Sequence, residues 1–312
     1  MEPQLNFLEV PGARGKFSST RRIAWWDWNA TGSEQPGQVV VCVHGLSRQA
    51  RDFDRLAQAL APHARVVCVD VAGRGHSDWL ADPMDYQVPT YVADLAVLLE
   101  RLRRDYQAAS GSPGSGLRID WVGTSMGGLI GMALAARPQS GLRRLVLNDV
   151  GPDIQVASLR RIASYIGKDE VYACEADGLR ELERLCATFG PHSAEQWQAL
   201  SRPMLRQSPR GWILHYDPAI AQPFRQALAA LDASPPELAS VESPLWQVYD
   251  SIGARCLLLR GAESDLLTRE TAHAMSGRGP MACCVEFAGV GHAPSLVQPD
   301  QVAVVKDFLL SP

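Results

Sequence analysis

The stretch that decides the fold is IDWVGTSMGGLI, residues 119–130. An apolar run typical of a buried strand ends in Gly-Thr-Ser-Met-Gly, and a small-residue pattern typical of a helix follows at once. This order predicts a strand that turns sharply into a helix, with Ser125 at the tip of the turn. Gly123 and Gly127 are expected because a Cβ at either position would clash with the neighbouring strand or helix. The Ser125 hydroxyl should therefore be held in an exposed position at the edge of a sheet.

Strand and helix patterns alternate on both sides of this turn. Gln38–Val43 is a continuous run of the kind found in strands that are covered on both faces. Pro89–Tyr106 carries apolar side chains at helical spacing. Alternation of this kind predicts the α/β class, with a mostly parallel, doubly wound sheet. The other expected strands are Leu5–Val10, Arg21–Asn29, Arg65–Asp70, Leu117–Val122, Arg143–Asn148, Arg255–Arg260 and Cys283–Phe287, and the other expected helices are Ala50–Ala61, Ser125–Arg137 and Val297–Leu310.

The alternation stops between residues 152 and 251, where no strand-like run is present. Four helical segments separated by prolines are expected there instead. Strand character returns at Arg255, so we expect a core formed by residues 1–151 and 252–312. Residues 152–251 would be a helical insertion, placed where a lid over the carboxyl edge of the sheet would emerge. The four segments are Ala157–Ile166, Gly178–Phe189, Ala194–Leu200 and Pro218–Leu231.

Three further polar motifs each follow a predicted strand. His44 begins a His-Gly-Leu turn, Asp265 ends the loop GAESD, and His292 lies in the loop GVGHAP. Ser125, Asp265 and His292 follow one another in the order Ser, Asp, His, and each lies in a loop after a strand. This arrangement resembles the α/β-hydrolase superfamily. The resemblance covers nearly the whole chain and implies the α/β-hydrolase fold with a lid.

The resemblance also implies a serine hydrolase with a catalytic triad. Ser125 would be the nucleophile, His292 the base that accepts its proton, and Asp265 the acid that orients the imidazole. Negative charge develops on the carbonyl oxygen during attack, so two donors must already point at it. The resemblance assigns these donors to the backbone N–H groups of Leu46 and Met126.

The acid is open to two alternatives. Asp149 follows the strand that precedes the insertion, and some members of the superfamily place their acid there. Glu263 lies two residues before Asp265 in the same loop. His44 is expected to brace the oxyanion loop rather than to act as a base.

Three residues are candidates for the substrate pocket. Trp212 and Tyr216 lie in the insertion, in a segment that looks like a lid lining an acyl pocket. Arg48 follows the His-Gly turn, where it could reach a substrate carboxylate. The alternatives are that the two aromatic side chains pack in the core and that Arg48 forms a salt bridge.

The function that the motifs favour is hydrolysis of a carboxylic ester through an acyl-enzyme, with a small-molecule ester or related acyl compound as substrate. The same triad could instead cleave a C–C bond in a β-diketone-like compound or open an enol-lactone. A remote alternative is a ligand-binding protein without catalysis, because fold does not fix function. No metal or organic cofactor is implied by any of these interpretations.

Composition excludes several other classes of protein. The net charge of −4 and pI near 6.0 argue against a nucleic-acid partner. No apolar run approaches the roughly 18–20 residues that span a bilayer. The first ten residues lack the pattern of a signal peptide, so a cytoplasmic location is expected. Four of the seven scattered cysteines lie in or beside predicted strands, where they are expected to act as small apolar side chains: Cys42, Cys68, Cys256 and Cys283.

Overall fold

The computed structural model describes residues 2–12, 20–34, 36–110, 116–233 and 243–311. Strands and helices alternate through most of these ranges. The strands are β1 (Gln4–Pro11), β2 (Thr20–Trp28), β3 (Gln38–Val43), β4 (Arg65–Asp70), β5 (Arg118–Thr124), β6 (Leu142–Asn148), β7 (Val171–Tyr172), β8 (Leu205–Ser208), β9 (Gly211–Leu214), β10 (Arg255–Gly261) and β11 (Cys283–Phe287). The α-helices are α1 (Asp54–Leu60), α2 (Val88–Ser110), α3 (Met126–Ala135), α4 (Val156–Ala163), α5 (Glu175–Leu185), α6 (Ala194–Ser201), α7 (Ala221–Asp232), α8 (Leu245–Asp250), α9 (Arg269–Gly277) and α10 (Pro299–Leu310).

Eight strands form one sheet in the order β1-β2-β4-β3-β5-β6-β10-β11. The six strands from β4 to β11 in this order pair in parallel. At the other edge, β2 runs antiparallel to both β1 and β4. The predicted α/β class with a mostly parallel sheet is therefore confirmed, and the strands of this sheet begin and end close to their expected positions.

Both faces of the sheet are covered, as the apolar character of its central strands requires. All six residues of β3 are buried. Val39, Val41 and Val43 belong to one hydrophobic cluster, and Val40 and Cys42 belong to another. Alternate residues of a strand point to opposite faces, so each face has its own apolar layer. Full burial of a valine side chain contributes about 1.5–3 kcal/mol, so the four valines of this strand together contribute several kcal/mol against the conformational entropy lost on folding.

The segment between β6 and β10 corrects one expectation. It was expected to contain no strand, but β7, β9 and β8 pair there as a three-stranded antiparallel sheet. These strands are only two to four residues long, too short to give the alternating pattern by which a strand is recognised. The expected helices of the segment are present as α4, α5, α6 and α7. The helices α8 and α9 were not predicted.

Two backbone hydrogen bonds join this segment to the turn after β4. The Gly75 N–H donates to the His215 carbonyl at 3.0 Å, and the Asp217 N–H donates to the Gly73 carbonyl at 2.8 Å. The Tyr86 hydroxyl donates to the Asp217 carboxylate at 2.5 Å. The turn after β4 is thereby tied to the chain that follows β9. Across the described ranges, no helix is both long enough and apolar enough to cross a membrane.

Candidate active site

The turn between β5 and α3 has the strained geometry that the sequence predicts. Ser125 has φ 51° and ψ −114°, a backbone conformation that residues with a Cβ rarely adopt. A Cβ on Gly127 would lie 2.0 Å from the Val43 carbonyl oxygen, and one on Gly123 would lie 2.2 Å from the Gly127 oxygen. Neither position can carry a side chain without moving the backbone. The expected reason for the two glycines is therefore confirmed.

Three polar side chains from separate loops meet at this turn. The Ser125 Oγ lies 3.1 Å from His292 Nε2, and His292 Nδ1 lies 2.8 Å from the Asp149 Oδ2. Both distances are those of hydrogen bonds. Ser125 and His292 are 167 positions apart in the chain, and the parallel sheet brings them together because both follow its strands. The three groups form a continuous chain of hydrogen bonds from a hydroxyl to a carboxylate.

The Asp149 carboxylate is fully buried, and its orientation is fixed by three donors: the His292 ring, the Gly261 N–H and the Ser264 hydroxyl. The Gly261 N–H donates to its Oδ1 at 3.0 Å. The Ser264 hydroxyl donates to its Oδ2 at 2.6 Å, beside the His292 ring. Asp149 follows β6 directly and has a positive φ of 57°, which turns its side chain toward the loop after β10. A buried carboxylate in this fixed orientation keeps the His292 imidazole in one tautomer, with the proton on Nδ1.

Asp265 does not contact His292, and the expectation that it would is wrong. Its carboxylate makes a two-point ion pair with Arg161, at 2.6 and 2.8 Å, and its side chain is 45% exposed. Partial burial raises the pKa of Asp265, but the Arg161 guanidinium outweighs that effect and the net pKa is lowered. The loop after β10 turns Ser264 inward to Asp149 and the next residue outward. Glu263, the other alternative in this loop, is exposed, and the carboxylate that bonds to His292 Nδ1 is that of Asp149.

The loop that carries His292 is held by residues that sequence reasoning missed. The Thr188 hydroxyl donates to the His292 carbonyl at 2.8 Å, and the Gly291 N–H donates to the Thr188 carbonyl at 2.7 Å. The Asn148 side-chain amide donates to the Pro294 carbonyl at 2.8 Å. Thr188 lies in the segment between β6 and β10, where no local pattern marks it. Asn148 could have been noticed, since a polar residue at the end of a buried strand needs a partner.

Two backbone donors lie beside Ser125. The nearest atom to a Cβ built on Gly45 would be the Ser125 Cβ, at 3.8 Å, so the His-Gly-Leu turn packs directly on the strained turn. Met126 begins α3, where an N–H has no acceptor within the helix. Within the part of the chain that the structure describes, neither the Leu46 N–H nor the Met126 N–H donates to a protein acceptor. Both groups are therefore available to a ligand.

The His-Gly-Leu turn is braced from below by a buried histidine. His44 Nδ1 lies 2.7 Å from the Gly45 carbonyl oxygen, and its Nε2 accepts from the Val71 N–H at 3.0 Å. Complete burial, with smaller effects from Arg74 and Arg48, lowers the pKa of His44 to about 3. The ring therefore stays neutral and makes both contacts. This geometry fits a brace rather than a base.

The lowered pKa of His44 predicts a specific loss of stability in acid. The unfolded chain protonates this ring below its ordinary pKa of about 6.5, whereas the folded chain keeps it neutral down to about 3. Its contribution is therefore fully present above pH 6.5 and is lost as the pH falls toward 3. In chemical denaturation at a series of pH values, the wild type should lose about 1.4 kcal/mol per pH unit more than His44→Gln between pH 6 and pH 4. Equal slopes for the two proteins would contradict a neutral buried His44.

Two cavities meet at Ser125. The wider one, about 560 Å³, is lined mostly by apolar side chains and includes Met126. The narrower one, about 100 Å³, includes His292 and several charged side chains. Leu46 and Ile162 line both cavities, as does Ser125. The Ser125 hydroxyl thus lies at the junction of two cavities, and charged side chains are part of the lining of the narrow one.

The predicted pocket residues have different positions. Tyr216 is buried and lines the narrow cavity. Trp212 lines neither of these two cavities. It lies on β9, partly buried against the core as the core-packing alternative anticipated, and the Arg202 guanidinium carbon lies 5.0 Å from the centre of its ring. Arg48 reaches the narrow cavity, but its guanidinium is engaged by the protein. It bonds to both carboxylate oxygens of Asp52, at 2.8 and 2.6 Å, as the salt-bridge alternative anticipated.

The fold and this arrangement of loops define a class of protein. A family model described as the alpha/beta hydrolase family matches residues 40–305, and the chain belongs to that family. An alpha/beta hydrolase from Novosphingobium aromaticivorans has a similar solved structure, with a TM-score of 0.77, 32% sequence identity, and coverage of 99% of this chain and 98% of that one.

Two characterised relatives narrow the class. The chain is 42% identical over 310 residues to a 3-hydroxybutyrate-oligomer hydrolase from Cupriavidus necator, covering 98% of this chain and 97% of that protein. It is 26% identical over 275 residues to a pimeloyl-[acyl-carrier protein] methyl ester esterase from Xanthomonas campestris, covering 86% and 92%. The chain is an enzyme, a hydrolase that acts on ester bonds. The alternative of a binding protein without catalysis is left without support.

Proposed function

We propose that the chain is a serine esterase that cleaves short oligomers of a 3-hydroxy acid such as 3-hydroxybutyrate, through an acyl-enzyme on Ser125. The observation that carries this proposal is the hydrogen-bonded chain from Ser125 through His292 to Asp149, at 3.1 and 2.8 Å. A hydroxyl is a weak nucleophile near neutral pH and needs a base within hydrogen-bond reach. His292 is in that position, and Asp149 takes the role of acid that Asp265 cannot fill.

In the first half of the reaction Ser125 is acylated. Its Oγ attacks the ester carbonyl carbon while His292 Nε2 takes the hydroxyl proton. The N–H groups of Leu46 and Met126 bind the oxygen that becomes negative, and loss of one such donor typically costs about 3–4 kcal/mol in the barrier. The C–O bond then breaks, and His292 returns its proton to the departing alcohol oxygen. The acyl group remains on Ser125 as an ester.

In the second half a water molecule resolves the acyl-enzyme. Water attacks the acyl carbon and gives a proton to His292 Nε2, and the same two N–H groups bind the second oxyanion. Collapse of this intermediate breaks the bond to Ser125 Oγ, which recovers its proton from His292. The carboxylic acid leaves. The Asp149 carboxylate stabilises the imidazolium in both halves without taking its proton.

The choice of substrate is based on likeness and on the cavities. A relative 42% identical over almost the whole chain is named for 3-hydroxybutyrate oligomers. Such an oligomer has an apolar methyl group and a polar ester in every unit, and both cavities at Ser125 offer apolar lining, with charged side chains added in the narrow one. Likeness to ester hydrolases also favours ester cleavage over the C–C bond and enol-lactone alternatives.

The segment at 152–251 fits the role of a cap over this site. It contributes Ile162 to both cavities and Phe224 to the wide one. Its Thr188 binds the carbonyl of His292, so the segment also positions the base. If the two cavities hold the two parts of the ester, residues of this segment contact the substrate and help to select it.

Incubation with a synthetic 3-hydroxybutyrate trimer tests the proposal. We expect release of dimer and monomer, together with a burst of p-nitrophenol when p-nitrophenyl butyrate is supplied at enzyme concentrations high enough to resolve it. If the enzyme cleaved a vinylogous diketone and left simple esters intact, the C–C bond alternative would be favoured. Absence of turnover for every ester tested would contradict the proposal.

A further inference from the structure

The position of His292 indicates which part of the ester enters which cavity. In the acylation step His292 Nε2 must deliver its proton to the departing alcohol oxygen, so the alcohol part of the ester lies on the side of that ring. His292 lines the narrow cavity and is not part of the wide one. The alcohol part therefore enters the narrow cavity, and the acyl part enters the wide apolar cavity. The narrow cavity has about 100 Å³, against about 560 Å³ for the wide one.

Most of the charged side chains of the narrow cavity are already paired. Arg48 is bound to Asp52, as described above. Arg161 holds Asp265 at two points. Glu181 holds Arg184 at 2.6 Å. These groups have little charge left to offer a ligand.

Lys168 is the cation of this cavity with the weakest pairing. Its Nζ is 4.0 Å from the nearest carboxylate oxygen, on Glu170, and its side chain is 49% exposed. Glu170 in turn accepts a hydrogen bond from the Tyr172 hydroxyl at 2.9 Å, through its other oxygen. The Lys168 ammonium can therefore move to an anion within the cavity, and Glu170 would oppose the approach of that anion.

We infer that Lys168 binds the carboxylate of the departing hydroxy acid, so that the enzyme removes units from the carboxyl end of the oligomer. This inference rests on the proposed function. When the last ester of an oligomer is cut, the alcohol that leaves is a single hydroxy acid with a free carboxylate. That product is small, anionic and on the side of His292, where Lys168 lies. An internal cut would instead place a longer, bulkier fragment in the narrow cavity.

The test compares two dimers of 3-hydroxybutyrate, one with a free carboxylate and one with a neutral primary amide at that end. Lys168→Met should lower kcat/KM for the free acid by about two- to fivefold, the range of an exposed ion pair, and leave kcat/KM for the amide unchanged. Glu170→Gln should raise kcat/KM for the free acid, since it removes a like charge and keeps an acceptor for Tyr172. Lys306→Met, on α10 away from both cavities, is the matched control and should leave kcat/KM for both dimers unchanged.

A trimer with an isotopic label in its carboxyl-terminal unit gives a second readout. The first monomer released by the wild type should carry the label. Unlabelled monomer released first, or a Lys168→Met variant that changes both dimers alike, would overturn the role of Lys168 while leaving ester hydrolysis intact. If the wild type cleaves neither dimer, the proposed function fails and the inference fails with it.

Discussion

Replacement of Asp149 with asparagine should lower kcat by about 10⁴-fold, the loss seen when a triad carboxylate becomes an amide. The amide cannot stabilise the imidazolium that His292 becomes during attack. It also offers an N–H where His292 Nδ1 needs an acceptor, which favours the wrong tautomer of the ring. Steady-state hydrolysis of p-nitrophenyl butyrate at saturating substrate measures the effect directly.

Asp265→Asn is the matched control for this prediction. It makes the same chemical change in the neighbouring loop, but at a carboxylate whose partner is Arg161 rather than His292. An exposed ion pair of this kind contributes about 0–1 kcal/mol, so kcat should change by no more than a few fold. A large loss in Asp265→Asn with a small one in Asp149→Asn would return the role of acid to Asp265.

The largest loss is expected for Ser125→Ala, about 10⁶-fold in kcat, because no other group can form the acyl-enzyme. The thermal unfolding midpoint should stay close to that of the wild type, since alanine keeps the Cβ and the Ser125 hydroxyl supports no other part of the fold. Residual hydrolysis would reflect only the binding of substrate against the two N–H donors.

The chain supplies an internal control for Ser125→Ala. Ser295 and His192 form a second serine–histidine pair, with Oγ 2.7 Å from Nε2. In that pair His192 Nδ1 faces the Gly190 carbonyl oxygen at 2.9 Å, so no carboxylate stands behind the ring. Ser295→Ala should retain activity within about tenfold, as expected for a change outside a unit of catalytic groups. Loss of activity as complete as in Ser125→Ala would make Ser295 a rival nucleophile and contradict the assignment of Ser125.

The fold could be predicted from the sequence because its signals are local and strong. Buried parallel strands such as β3 and β4 are nearly continuous runs of valine, and amphipathic helices such as α2 repeat over many turns. The strained turn at Ser125 has its own motif, since only glycine fits at Gly123 and Gly127. The short strands β7 to β9 give no such signal, because they depend on their partners rather than on a periodic pattern.

The acid could not be assigned from the sequence, and the reason is geometric. Asp149 follows β6 and Asp265 closes the loop after β10, and these strands are neighbours in the sheet. Both loops therefore reach the same region beside His292. Which carboxylate contacts the ring depends on the positive φ of Asp149 and on the inward turn of Ser264. Backbone dihedrals at single loop residues are decided by tertiary packing rather than by residue type alone.

The positions of the pocket residues could not be predicted from the sequence either. Trp212 and Tyr216 lie four residues apart in one segment, and no sequence pattern distinguishes a pocket position from a core position for either of them. The structure separates them: Tyr216 follows β9 into the narrow cavity, whereas Trp212 pairs within the small sheet under Arg202. Lys168 carried no motif at all. Its significance comes from the pairing of its neighbours, which only coordinates can show.

The most direct test of the central claim is the location of a covalent adduct. The enzyme is treated with a fluorophosphonate until hydrolysis of p-nitrophenyl butyrate stops, then digested and analysed by mass spectrometry. We expect one phosphonyl group per chain, on Ser125, with slow labelling in Asp149→Asn and normal labelling in Asp265→Asn. An inactivated enzyme with its adduct on any other residue, or an active enzyme that the reagent never modifies, would contradict it.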